Sequence, residues 1–385
     1  MRVLTIIDSL DASGGAERSL AALAPELVSA GIDLHVAYLR DRPRSIAEQL
    51  VDSGAAVHSL VGRGGRASDT LRTAKLVRAV RPDLVHTTLF EADQAGRIGA
   101  RATGRPVVTS LVNVAYGTDQ STSPDLARWK VRAAQTTDAL TARAAVRFHA
   151  ITAHVADVMA ARLRIPRDRI DVIYRGRDPH QLGRRTAERR ARIRRDLGLN
   201  DQQPVVLAVG RQEWQKGHDV LIAALPELAR RWPSLTLLIA GRPGRQSADL
   251  EQAVARTGLS DRVRVLGFRD DVAELLCGAD VLAFPSRWEG LGSSLLEAMA
   301  LEIPIVASGL PAVREVLSPA EARLVAPAEP DLLAAAIGEC LADPTGATRR
   351  TEAARHRFLR EFTVQASASS MTAFYERALQ ARRGQ

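Results

Sequence analysis

Short apolar runs rich in Val, Ile and Leu alternate with longer amphipathic stretches along nearly the whole chain, and this alternation limits the folds open to it. "VLTIID" (3–8), "DLHVAYL" (33–39), "LVHTTL" (84–89), "PVVTSLV" (106–112), "RFHAIT" (147–152) and "RIDVIY" (169–174) read as strands. Helical patterns such as "ERSLAALAPELVSA" and "TLRTAKLVRAV" lie between them. The scheme repeats with "PVVLAVG" (204–210), "LTLLIAG" (235–241), "VRVLGF" (263–268), "DVLAFPS" (280–286), "PIVASG" (304–309) and "ARLVAP" (322–327). Strands of this kind, separated by helices, build parallel sheets covered on both faces. At 385 residues the chain exceeds one core, so two doubly wound α/β domains facing across a cleft are expected. The arginine-rich "GRRTAERRARIRRDLGLNDQQP" (183–204) reads as a linker and a short helix feeding the second domain. The expected domains are residues 1–182 and 183–365, with a terminal helix at about 366–385 packing back on the first.

Composition narrows the class. An apolar fraction of 46% with 25% charged residues is that of a soluble globular chain. No apolar run approaches the roughly 20 residues that span a bilayer. Met1-Arg2 leads straight into a strand, so no secretory leader is expected. Cys277 and Cys340 lie far apart inside expected helices, as structural thiols in a reduced, cytoplasmic setting. The net charge of +9 is uneven: residues 121–195 hold 18 Lys/Arg against seven Asp/Glu. That surplus suits an anionic partner such as phosphate, acidic lipid or nucleic acid. Arg72, Lys75, Arg78 and Arg81 recur every three residues, and Arg128, Lys130, Arg132, Arg143 and Arg147 follow. Such a face would dock peripherally on the anionic inner face of a membrane, or simply be solvated. Aromatics make up 4%, and no recognition helix, zinc spacing or stacking motif stands out, so no nucleic-acid partner is expected.

In doubly wound sheets the ligand binds at the carboxyl ends of the strands. After the first strand comes "DSLDASGGAERSL", where Gly14-Gly15 before a helix start offers backbone N–H groups to a phosphate, or serves only as a turn. It is neither a dinucleotide fingerprint nor a Walker loop. After "PVVLAVG", Arg211 and Lys216 bracket the strand-to-helix turn, two cations placed to neutralise a pyrophosphate unless they are mere surface charges. Lys216 is one of only three lysines. The third stretch is "PSRWEGLGSSLLEAMA" (285–300), with Glu289 in a loop and Glu297 on a helix. Eight helical residues rise roughly 12 Å, too far for both carboxylates to work on one atom. Each needs its own partner, and the hydroxyls of a sugar ring suit a carboxylate. The amides of Gly290, Leu291, Gly292 and Ser293 would face a bound anion or sugar.

That stretch resembles the signature of the family 4 retaining glycosyltransferases of the GT-B fold (group 1 glycosyltransferases). "GGAE", "VGRQEWQKG" and "LGFRDDVAELL" match further landmarks in order, over essentially the full length. The resemblance implies that Glu297 holds the ribose of a nucleotide and Glu289 the donor sugar, beside the amides of residues 290–293. It implies that Arg211 and Lys216 neutralise the diphosphate with help from Gly14 and Gly15, and that Gly267, Phe268 and Arg269 meet the base. The implied reaction moves a sugar, with retention, from a UDP- or GDP-sugar to an acceptor hydroxyl in glycolipid, polysaccharide or glycosylated-metabolite synthesis. The nucleotide sugar is a co-substrate; no cofactor and no metal are implied, and "FRDDV" (268–272) is not a metal motif.

The chain also departs from the pattern. Asn113 stands where family members often carry histidine; it can hydrogen-bond a sugar but cannot shuttle a proton. It is nonetheless an expected catalytic contact, and with Tyr116 it would touch either the acceptor or the donor sugar. Arg175-Gly176 replaces a frequent Asn-Gly. His86, His149 and His154 read as structural or solvent-facing. An epimerase or hydrolase on the same architecture, or a basic nucleic-acid-binding protein, is the alternative. The donor sugar, the base and the acceptor are not specified by the sequence.

Overall fold

The computed structural model describes residues 1–117 and 128–383. The chain forms two compact units, Met1–Gly176 with Thr363–Gln385, and Arg177–Phe362. The sequence had set the divisions after 182 and after 365; the units divide after Gly176 and after Phe362.

In the first unit β1 (Arg2–Ser9), β2 (Asp33–Arg40), β3 (Ala56–Ser59), β4 (Leu84–Thr88), β5 (Val107–Leu111), β6 (Arg147–Ala150) and β7 (Ile170–Val172) form one parallel sheet in the order β3-β2-β1-β4-β5-β6-β7. Every residue of β4 and β5 is buried, as strands covered on both faces must be. The strand β3 was not expected. It is a short edge strand whose residues are exposed or half-buried, so it lacks the apolar run by which the others were found.

The helix Gly15–Ser29 covers the sheet together with the terminal helix Val364–Arg383, whose Phe374, Tyr375 and Ala378 are almost wholly buried in the same core as Leu27, Val3 and Ile7. The terminal helix lies within the first unit; residues 384–385 lie outside the described residues.

The second unit repeats the plan. Strands β8 (Val205–Val209), β9 (Thr236–Ala240), β10 (Val263–Gly267), β11 (Val281–Phe284), β12 (Ile305–Ser308) and β13 (Arg323–Val325) run parallel in the order β10-β9-β8-β11-β12-β13. The order reverses at β8 and β11, and such a switch point leaves a crevice at the carboxyl ends. Both cysteines are buried in helices, Val272–Gly278 and Pro330–Ala342, and burial pushes both thiols up.

Part of the arginine surplus is paired within the protein. The helix Ala187–Asp196 belongs to the second unit; Arg189, Arg190 and Arg194 on it turn inward onto protein, while Arg192 and Arg195 are exposed. Arg194 is fully buried; it donates to the carbonyls of Gly278, Asn200, Asp201 and Gln203 and pairs with Asp280 at 2.7 Å. Arg189 meets Glu274 at 2.6 Å, and Arg185 donates to Cys277 and Ala279. A buried guanidinium must be paired, so much of this charge is internal scaffolding.

Candidate functional site

The second unit gathers its charged groups at the carboxyl ends of β8 and β11. After β8 the chain makes a short 3-10 turn, Trp214–Lys216, and enters the helix His218–Arg231 through Gly217. Gly217 adopts φ +63°, and a Cβ there would lie 2.0 Å from the Pro285 carbonyl. Only glycine allows the approach of these two loops.

That approach brings Lys216 Nζ to 2.6 Å from Glu289 Oε1, with the Ser286 hydroxyl donating to the same oxygen at 2.8 Å. Glu289 is buried and the Lys216 side chain is 18% exposed. An ammonium has three N–H donors, so Lys216 can hold Glu289 and still donate to a bound anion.

Arg287 fixes the same two loops. Its amide donates to the Gln215 carbonyl (2.8 Å), and its guanidinium donates to the Trp214 carbonyl (3.0 Å) and both Asp219 oxygens (2.7 and 2.6 Å). It also lies 3.4 Å over the Trp214 ring, a cation–π stack. Arg211 is different. Its side chain is exposed and makes no hydrogen bond or ion pair with the described residues, which leaves a cation at the end of β8. His218 is buried against the Gly210 carbonyl (3.1 Å), and burial pushes it down to about 4, with Lys216 adding to the effect.

The helix Ser293–Ala300 follows β11 through Gly292, at φ +94°. Leu295, Leu296, Ala298, Met299 and Ala300 are completely buried, and Glu297 sits among them. Arg177 Nε donates to Glu297 Oε1 at 2.9 Å. The other oxygen, Oε2, is buried with no hydrogen-bond partner among the described residues. A carboxylate oxygen left this way is costly unless a ligand bonds it.

At the end of β10, Gly267 has φ +67° and its carbonyl accepts from the Gly241 amide (2.7 Å). Phe268 is half-buried. Arg269 clasps Asp271 with two bonds (2.7 and 2.5 Å), which occupies one acid of "FRDDV". The structure thus places Arg211, Lys216, Gly267, Phe268, Glu289, Gly290, Leu291, Gly292, Ser293 and Glu297 in the second unit, in or directly after β8, β10 and β11. Arg177 escaped the sequence reading because it lies 120 residues from its carboxylate.

The remaining expected residues lie in the first unit. Gly14 caps the helix Gly15–Ser29, and the buried Glu17 side chain folds over it; a Cβ on Gly14 would lie 1.9 Å from the Glu17 carboxylate. Arg175 donates to the Gly15 carbonyl (3.3 Å). Burial raises Glu17, and burial pushes Asp8 up to about 6 against the hydrogen bond from the Ala92 amide.

Asn113 Oδ1 accepts from the next amide, Val114 (2.9 Å). Tyr116 sits at φ +64° with its hydroxyl donating to Asp138 (2.8 Å), and burial with Asp138 beside it raises the phenol. Asp138 in turn takes the fully buried Arg97 at 2.5 Å. The Tyr116 hydroxyl is therefore tied into internal packing.

His86 and His149 are buried in a single chain of hydrogen bonds. Tyr375 meets His86 Nδ1 (2.8 Å), His86 Nε2 meets Ser110 (2.7 Å), Ser110 meets His149 Nδ1 (2.8 Å), and His149 Nε2 meets the Ile173 carbonyl (2.9 Å). That carbonyl can only accept, so every donor is fixed: Tyr375 to His86, His86 to Ser110, Ser110 to His149, His149 to Ile173. Burial pushes His86 down to about 3 and His149 to about 4, so both are neutral. This chain floors a cavity of about 60 Å³ walled by Leu20, Leu23, Val364 and Met371.

Two parallel sheets of doubly wound order, the second with charged groups gathered at its strand ends, define a two-unit α/β protein. Comparison with known proteins agrees. Residues 13–181 match the model of glycosyltransferase family 4, and residues 189–357 match that of the glycosyl transferases group 1. The chain is 32% identical over 233 residues, 60% of each protein, to a 2-deoxystreptamine glucosyltransferase of Streptomyces kanamyceticus. It is 30% identical over 341 residues to a 2-deoxystreptamine N-acetyl-D-glucosaminyltransferase of Streptomyces fradiae, covering 80% of this chain and 77% of that one.

Among solved structures, HepE of Anabaena in complex with UDP-glucose superposes with a TM-score of 0.84 at 23% identity, covering 98% of this chain and 99% of that chain. Sucrose-phosphate synthase from Thermosynechococcus elongatus gives 0.83 at 20% identity, covering 99% and 100%. The fold is of GT-B type, and the chain belongs to the family 4, group 1 glycosyltransferases.

Proposed function

We propose that this chain transfers a sugar from a nucleoside diphosphate sugar to an acceptor hydroxyl with retention of configuration. The observation that carries the reading is Glu297: a buried carboxylate with one oxygen held by Arg177 and the other awaiting a donor. The hydroxyls of a ribose are suitable donors. Glu289, held by Lys216 and Ser286, takes the donor sugar's hydroxyls, with the amides of residues 290–293 beside it. Arg211 and Lys216 meet the diphosphate. As the glycosidic bond breaks, negative charge gathers on that leaving group, and fixed cations there lower the barrier. A diphosphate oxygen takes the acceptor proton, so no protein nucleophile is required.

Two cations in place of a divalent ion predict activity in chelator. The amides of Gly14 and Gly15, the backbone at Gly267 and Phe268, and Asn113 on the acceptor side complete the proposed set. The solved relative HepE binds UDP and UDP-glucose, so uridine donors head the list to test. The named relatives act on 2-deoxystreptamine, so an aminocyclitol belongs in the acceptor panel.

The test is a thermal-shift screen of UDP, GDP, ADP and their sugars in EDTA, because a ligand that binds only the folded state raises Tm. Turnover of the stabilising donor then follows, with and without acceptor, with the anomeric configuration of the product read by NMR. No shift with any nucleotide overturns the reading. Donor consumption without acceptor favours the hydrolase or epimerase alternative, and an inverted product removes retention.

Docking to an anionic membrane rests on one further observation. The helix Arg128–Ala142 exposes Trp129 at 68% beside the exposed Arg128, Lys130 and Arg132, while its one acid, Asp138, is buried. Exposed tryptophan among cations suits a lipid interface. Arg72 drops out of the expected basic face, because it is bound to Asp69 and the Leu60 carbonyl; Arg147 likewise pairs with Asp171.

A further inference from the structure

Arg177 is the first residue of the second unit, immediately after the chain leaves the first. Its amide donates to the carbonyl of Phe362, the last residue of that unit (3.0 Å). The neighbouring Gly176 has no room for a side chain, since a Cβ would lie 2.2 Å from the Thr363 carbonyl. Backbone bonding and close packing thus fix where Arg177 begins, and its side chain is 8% exposed. From that fixed base its Nε reaches Glu297 Oε1 at 2.9 Å.

A carboxylate surrounded by completely buried Leu295, Leu296 and Ala298 is costly to leave without a partner. Several other charged groups on the elements packed around this helix have partners of their own. Arg355 is 3.7 Å from Glu302 and also donates to the Ala300 carbonyl. Glu274 is held by Arg189 and Arg192, and Lys216 by Glu289. His180, on the short helix Pro179–Leu182, is exposed.

We propose that Arg177 is the positioning residue of the nucleotide site: it holds Oε1 of Glu297, so that Oε2 alone is offered to the nucleotide's hydroxyls. This rests on the reading of Glu297 given above, and the experiment separates the two. Binding of UDP and GDP to the full chain is measured by calorimetry for wild type, Glu297→Gln, Arg177→Lys, Arg177→Gln and the Arg177→Gln/Glu297→Gln double variant.

Glu297→Gln is expected to weaken binding about tenfold or more, the effect of losing a hydrogen bond to a charged group. Arg177→Gln is expected to weaken it about tenfold, because Oε1 is then no longer held by a charged donor. Arg177→Lys should restore most of the affinity. The double variant should bind no more weakly than the weaker single variant. The donor KM should rise in Arg177→Gln while kcat at saturation stays within a few-fold.

If Glu297→Gln binds like wild type, the nucleotide reading of this pocket is wrong. If Glu297→Gln binds weakly but Arg177→Gln binds like wild type, Arg177 does not position the site. A loss in Arg177→Gln that is additive with that of Glu297→Gln also refutes the role. Should Arg177→Gln fail to fold, Arg177→Lys decides: near-wild-type affinity supports the proposal, and a loss equal to that of Glu297→Gln overturns it.

Discussion

The carboxyl halves of the two sheets solve the same problem in opposite ways. In the first unit His86, Ser110, His149 and Tyr375 bond to one another and to a carbonyl, and the histidines stay neutral. In the second unit Glu289 and Glu297 are held by Lys216 and Arg177, and Glu297 Oε2 has no partner among the described residues. A closed neutral network stiffens a core, whereas charges held at one end and open at the other are prepared for a ligand. The contrast is consistent with the proposal that places the charged chemistry in the second unit.

The largest expected effect breaks the charged side of this contrast. Lys216→Ala removes the cation and leaves Glu289 buried without it, so turnover should fall about 10²-fold or more, as when a fixed stabilising donor is deleted. Arg211→Ala should act in the same direction. Steady-state rates at saturating donor check both, and wild-type turnover in the pair would remove the diphosphate assignment.

The next effect sharpens the neutral side. His86 and His149 have values lowered below that of an unfolded histidine, near 6.5. The unfolded chain therefore binds more protons as pH falls below 6.5, and stability present above that pH is lost on the way to pH 4. Asp8, pushed up to about 6, and Asp93, to about 7, act with the opposite sign. Isolating one histidine therefore needs a difference measurement. Between pH 7 and pH 5 wild type should lose on the order of 2 kcal/mol more than His149→Gln. Chemical unfolding curves at the two pH values read this, and parallel losses would mean that His149 is already charged in the fold.

The smallest effect concerns the outer surface of the first unit. Flotation with anionic vesicles should weaken several-fold when Arg132 is changed to Ala, about the contribution of one cation at a lipid surface. Flotation should disappear on neutral vesicles. Equal behaviour on both lipids would leave the helix Arg128–Ala142 as a solvated face.

Much of the fold was readable because parallel strands buried on both faces carry continuous apolar runs; all but one of the thirteen strands of the two sheets announced themselves this way. The exception, β3, is an exposed edge whose pairing with β2, through register partners such as His35 and Ala56, is a tertiary event. The candidate site was readable for a related reason. A βα loop keeps Gly217, Gly292, Lys216 and Glu289 close in sequence to the strands that carry them.

What stayed hidden were interactions across long sequence separations. The chain order determined that glutamates follow β11 and that cations follow β8. It could not say that Arg177 would meet Glu297 across 120 residues, that Arg194 would be spent on carbonyls, or that Tyr375 would close a hydrogen-bond chain begun 289 residues earlier. Local pattern and glycine geometry are properties of neighbouring residues, and the sequence holds them in full. Which charge ends beside which depends on how helices pack over a sheet, and that packing exists only once the chain has closed on itself.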